Sequence, residues 1–170
     1  MCLYIAKDAD AQIASEDITV YKVLIKNAVH LGHHYYYISP YQHKPYEIGF
    51  LYSSPISFGE ATYGIHKNSY WNDLFAGLKE YEYDTYIDEI PAFAIRTVEQ
   101  GLHSFASLED AQHFATLYDS DDVVVMKCTI PAGAAYYEGK WMYDIYPNDK
   151  LETLYVKNYA SSRLRTEEVV

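Results

Sequence analysis

Val123-Val124-Val125-Met126-Lys127-Cys128-Thr129-Ile130 is nearly continuous in apolar and β-branched residues, and Pro131-Ala132-Gly133 ends it. Eight residues of this kind bounded by turn formers read as a strand buried on both faces, central in a sheet. Just upstream, Ser107 with Asp110 three residues later resembles a capping box. Leu108, Ala111, Phe114, Ala115 and Tyr118 then share one face of a helix from Leu108 to about Leu117. Glu109 and Asp110 sit where the helix dipole favours acids.

Working outward, Ile18-Thr19-Val20-Tyr21-Lys22-Val23-Leu24-Ile25 reads as a buried strand with Lys22 its single charge. Further strands are expected at Tyr35–Ile38, which Ser39-Pro40 stops, and at Tyr46–Tyr52, Phe93–Val98, Leu102–Phe105, Ala135–Gly139 and Leu151–Val156. Trp71, Leu74, Phe75 and Leu78 follow helical spacing, and the acidic, Tyr-rich stretch from Glu80 to Glu89 reads as a surface loop. The sum predicts an α+β domain: a mixed or mostly antiparallel sheet of about six to eight strands with two or three helices. One domain is expected over residues 1–160, with a flexible tail at 161–170.

Composition bounds the function. The 170 residues carry 13 Lys and Arg against 24 Asp and Glu, a formal charge of -11, which opposes binding to a phosphate backbone. No nucleic-acid partner is expected. No run approaches the roughly 18 apolar residues of a membrane helix, so no membrane partner is expected either. Cys2 and Cys128 are the only thiols, and they lack the spacing of a zinc site or a disulfide scaffold. A cytoplasmic location follows as an expectation. Twenty tyrosines suit half-buried strands and wet interfaces alike.

The segments Gly101-Leu102-His103-Ser104, Ser107-Leu108-Glu109-Asp110-Ala111 and Ile130-Pro131-Ala132-Gly133 form the most distinctive unit. Together with Val20-Tyr21-Lys22-Val23-Leu24 and Ser39-Pro40-Tyr41, they resemble a loose set of uncharacterised phage and gut-bacterial proteins. That resemblance implies a phage-type origin and no function. Residues 101–131 also resemble the strand, capped helix and strand of ADP-ribosyltransferase-like folds, which implies a cleft holding NAD. Those enzymes place His or Arg on an early strand, where this chain has Tyr21 and Lys22.

The leading expectation is a non-catalytic accessory or binding domain with a protein or small-molecule partner and no cofactor. Its ligand site is expected where the Tyr21 strand approaches the Gly101–Phe105 strand. Tyr21 and Tyr41 would supply flat walls, and Lys22, His103 and Ser104 polar atoms. Two enzyme alternatives stay open: an ADP-ribosyltransferase-like enzyme using NAD, and a hydrolase whose nucleophile is an N-terminal Cys2. No residue set is assigned to a metal: His30, His33 and His34 lack a second set of ligands at a fixed spacing.

Overall fold

The computed structural model describes residues 3–6, 9–28, 35–40, 42–59, 62–65, 85–87, 90–118, 120–145 and 152–170. The strands are β1 (Leu3–Ala6), β2 (Gln12–Ile13), β3 (Ile18–Ala28), β4 (Tyr35–Ile38), β5 (Pro45–Tyr46), β6 (Leu51–Ser53), β7 (Ser57–Phe58) and β8 (Thr62–Ile65). They continue with β9 (Thr85–Ile87), β10 (Ile90–Gln100), β11 (Leu102–Phe105), β12 (Val123–Ile130), β13 (Ala135–Ile145), β14 (Glu152–Ser161) and β15 (Arg163–Val169). One helix, α1 (Leu108–Ala115), is present among the described residues.

These strands join one antiparallel sheet in the order β6-β15-β12-β3-β11-β14-β13-β1-β10-β7. The α+β expectation is therefore corrected: the fold is mostly β, with 15 strands among the described residues in place of six to eight and one described helix in place of two or three. Part of the excess comes from two-residue strands such as β2, β5 and β7, too short to show any period in sequence. The expected helix around Trp71–Leu78 lies outside the described residues. The expected tail is also corrected, because β15 pairs with β12 and β6 and buries Leu164 and Thr166.

The apolar run Val123–Ile130 is an inner strand, registered on β3 from Val123↔Ile25 to Ile130↔Ile18. Directly opposed residues share a face, so the register sorts the side chains. One face carries Val20, Leu24, Met126, Cys128 and Ile130, which pack with Tyr46, Leu102 and Leu164. The other carries Val23 and Val125, which α1 covers through Ala111 and Phe114, together with Phe105, Trp141 and Val156. Phe114 lies 4.5 Å from Trp141 and 5.5 Å from Phe105, ring centre to ring centre. A third cluster joins Leu3, Ile5, Val98 and Ala160.

Capping fixes the start of α1. The Asp110 N–H donates to Ser107 Oγ at 3.1 Å, and the Ser107 hydroxyl donates to Asp110 Oδ2 at 2.7 Å. At the other half of the sheet the backbone of β1 passes over Gly139. A Cβ there would lie 2.3 Å from the Tyr4 carbonyl oxygen.

Two substitutions test this packing. Gly139→Ala should lower stability by about 2 kcal/mol in chemical denaturation, because the clash is with backbone. Val125→Asp should cost about 3 kcal/mol or more, since it puts an unpaired charge under α1. An unchanged denaturation midpoint in either variant would refute the placement.

Candidate functional site

The strand junction singled out from the sequence exists: β3 and β11 are neighbours, with Phe105 opposite Tyr21. That pair is the whole of their ladder, whereas β3 and β12 are registered over eight residues. The sheet thus has a seam between β3 and β11.

The register distributes the expected site residues over both faces of this seam. Tyr21 is half-buried on the helix-covered face, opposite Phe105. His103 shares that face with Phe105 by the two-residue alternation of a strand. Lys22 and Ser104 are one residue further on in each strand and occupy the opposite face. Tyr41 lies outside the described residues, as do Cys2 and the His30, His33 and His34 group. The four described members of the expected five-residue site thus form two groups, with Lys22 and Ser104 on one face and Tyr21 and His103 on the other.

Lys22 is buried, 4% exposed, and its ammonium donates to the His103 carbonyl across the seam. The Tyr46 ring centre is 5.0 Å from Nζ, in cation–π range. Burial pulls the Lys22 pKa down to about 8, while the Cys128 thiol acts weakly in the opposite sense. Burial also pushes that thiol up to about 12, so Cys128 is a protonated core residue at neutral pH. Tyr46 is raised above its ordinary value, again chiefly by burial.

His103 is 3% exposed, and neither ring nitrogen has a hydrogen-bond partner among the described residues. Burial, followed by the nearby Lys22 and Lys44 cations, holds its pKa down at about 3, so the ring is neutral. Ser104 Oγ, Tyr46 Oη and Asn158 Oδ1 are likewise buried without a partner among the described residues. Asn158 opposes Phe105 on β14, which puts it on the His103 face, diagonal to that residue.

Sequence reasoning missed Tyr46 and Asn158. Tyr46 was read as the start of one strand through Tyr52, but Gly49 adopts φ +85° and splits that stretch into β5 and β6. Gly49 itself was the signal that could have divided it. No group of three or more metal-ligating side chains occurs among the described residues. What the arrangement does offer is a buried cation and two hydroxyls on one face, and a neutral imidazole and an amide on the other.

No family model, no curated protein and no solved structure matches the chain.

The His103 environment has a pH signature. Its native pKa of about 3 lies below the unfolded value of 6.5, so the unfolded chain binds the extra proton between those limits. The stability from a neutral His103 is complete above pH 6.5 and is lost progressively as pH falls towards 3, by on the order of 4 kcal/mol. A His103→Leu variant should lack this loss, seen as a flatter dependence of denaturation free energy on pH between 6.5 and 3. Identical slopes in the two proteins would refute a buried neutral ring.

Proposed function

We propose that the chain is a non-catalytic binding domain whose contact surface is the turn Ile48-Gly49-Phe50-Leu51 and the edge strand β6 that follows it. The observation that carries this reading is a cluster of exposed apolar side chains on a firmly held backbone. Ile48, Phe50 and Leu51 are 46%, 54% and 56% exposed. Three large apolar side chains in four residues are unusual on a surface that has no use for them.

Thr166, 1% exposed on β15, holds the turn. Its N–H donates to the Phe50 carbonyl at 3.0 Å, and its Oγ1 accepts from the Phe50 N–H at 3.1 Å. Its carbonyl accepts from the Gly49 N–H at 3.0 Å, and its hydroxyl donates to the Glu47 carbonyl. A preorganised apolar anchor loses little entropy on binding. β6 ends the path of the sheet with β15 as its neighbour, so an extended segment of a protein partner is the class of ligand that fits: strand addition, with apolar side chains against Phe50 and Leu51.

Other observations agree with a protein partner rather than nucleic acid. Lys22 is buried, and Arg165 is engaged by Asp17 at 3.0 Å, so neither is a free surface cation. Among the described residues no helix is long and apolar enough to cross a membrane. A cytoplasmic setting and a phage-type source belong to the same proposal, supported by the unpaired Cys128 and by the segments around Gly101 and Ile130.

A second reading, an ADP-ribosyltransferase-like enzyme using NAD, is favoured by one observation: Lys22 reaches β11 at the His103 carbonyl. Titration calorimetry with NAD separates the two, since saturable binding lost in Lys22→Met would favour the enzyme.

The binding reading is tested with a photocrosslinking residue in place of Leu51, compared with the same probe at exposed Glu109 on α1. Position 51 should give a dominant protein adduct that Glu109 does not. Phe50→Ser should abolish it, and Thr166→Val, which keeps the backbone bonds but removes the hydroxyl bonds to Glu47 and Phe50 and so loosens the turn, should reduce it several-fold. Equal adducts from both positions, or none, would overturn the proposal.

A further inference from the structure

On the face of the seam opposite α1, Lys22 presents an ammonium in an apolar cluster that includes Leu24, Leu102, Met126 and Leu164. A buried charge is ordinarily paired, because an isolated one costs several kcal/mol. The ionisable group that acts on Lys22 is the Cys128 thiol, which burial keeps protonated and neutral. No carboxylate among the described residues balances the cation.

The hydrogen-bonding capacity around Lys22 is unbalanced in the same sense. An ammonium has three N–H donors, and the His103 carbonyl takes one. Ser104, which follows that carbonyl on β11, has a fully buried hydroxyl without a partner among the described residues. The Tyr46 hydroxyl is in the same condition, on the ring that lies 5.0 Å from Nζ. Two further ammonium hydrogens and the two hydroxyls, each hydroxyl an acceptor as well as a donor, make no hydrogen bond among the described residues.

We propose that Lys22, Ser104 and Tyr46 form an internal binding site for one small monovalent anion, of the chloride or formate class, at the β3–β11 seam. One negative charge neutralises the one cation, and a halide or a carboxylate accepts several donors at once. A dianion would carry a second charge that nothing among the described residues balances, and the apolar cluster of Leu24, Leu102, Met126 and Leu164 disfavours a hydrated one. The Lys22 pKa of about 8 leaves the ammonium mostly charged at neutral pH, and a bound anion would raise it.

The test uses the full chain and does not depend on any protein partner. Thermal unfolding is followed at constant ionic strength while gluconate, too large to enter, is exchanged for bromide or formate. The expected result is a Tm that rises with the logarithm of bromide or formate concentration, as linkage requires. Ser104→Ala and Tyr46→Phe should each weaken the apparent affinity roughly fivefold or more, and Lys22→Met should abolish the dependence. If Lys22→Met fails to fold, the two hydroxyl variants and a crystal grown in bromide decide. Anomalous bromide density in hydrogen-bonding range of Lys22 Nζ would support the site. Water alone at that position, or a Tm indifferent to the anion in the native chain, would overturn it.

Discussion

The seam between β3 and β11 is the constraint on which the rest of this structure turns. On one side β6, β15, β12 and β3 form a well-laddered half, and on the other β11, β14, β13, β1, β10 and β7 form the second. Backbone pairing between the halves is limited to Phe105 opposite Tyr21, so ladder hydrogen bonds alone do not hold them together. Side chains do that work on both faces. The Lys22 ammonium reaches the His103 carbonyl on one, and on the other α1 lays Ala111 and Phe114 over Val23 and Val125 from the first half and Phe105 and Trp141 from the second.

These two fasteners differ in kind. The aromatic cluster under α1 is non-directional and draws on buried area. The lysine contact is directional, and it places a desolvated cation where an apolar residue would be simpler. A buried ion is weak evidence for stability, since replacing one with a well-packed apolar residue is often neutral or stabilising. Lys22 is therefore better explained by something it engages than by the fold it fastens, and the unpaired hydroxyls of Ser104 and Tyr46 beside it point the same way.

Much of the scaffold was legible because hydrophobic period survives in the long strands. Ile18–Ile25, Tyr35–Ile38, Leu102–Phe105 and Val123–Ile130 were each readable from local pattern, and the Ser107 cap located α1. The class was not legible, because β2, β5 and β7 have two residues each and owe their existence to pairing with distant chain. The end of the chain was misread for a different reason. In Arg163-Leu164-Arg165-Thr166-Glu167 the charged residues alternate with Leu164 and Thr166, and a period of two in mostly polar residues resembles an unstructured tail. Two charged residues of that strand are paired, Glu167 with Lys127 at 3.3 Å and Arg165 with Asp17 at 3.0 Å.

The site was legible as residue types and not as an arrangement, for a reason inherent in strands. Adjacent residues on a strand project to opposite faces, so Tyr21 with Lys22, and His103 with Ser104, could never all have lined one cleft. The correct grouping needed the cross-strand register, which sets Phe105 against Tyr21 and so leaves Lys22 and Ser104 together. It also needed Tyr46, which arrives from β5 by way of β4 and owes nothing to local sequence near either strand. The candidate contact turn at Ile48–Leu51 escaped notice for a related reason: in sequence its apolar residues read as the middle of one strand, Tyr46–Tyr52. What puts them in water is the left-handed Gly49 and the grip of Thr166, a residue from the far end of the chain. Both candidate surfaces are thus products of long-range pairing, and each sits where a strand expected from local pattern was redirected by a partner that local pattern does not reveal.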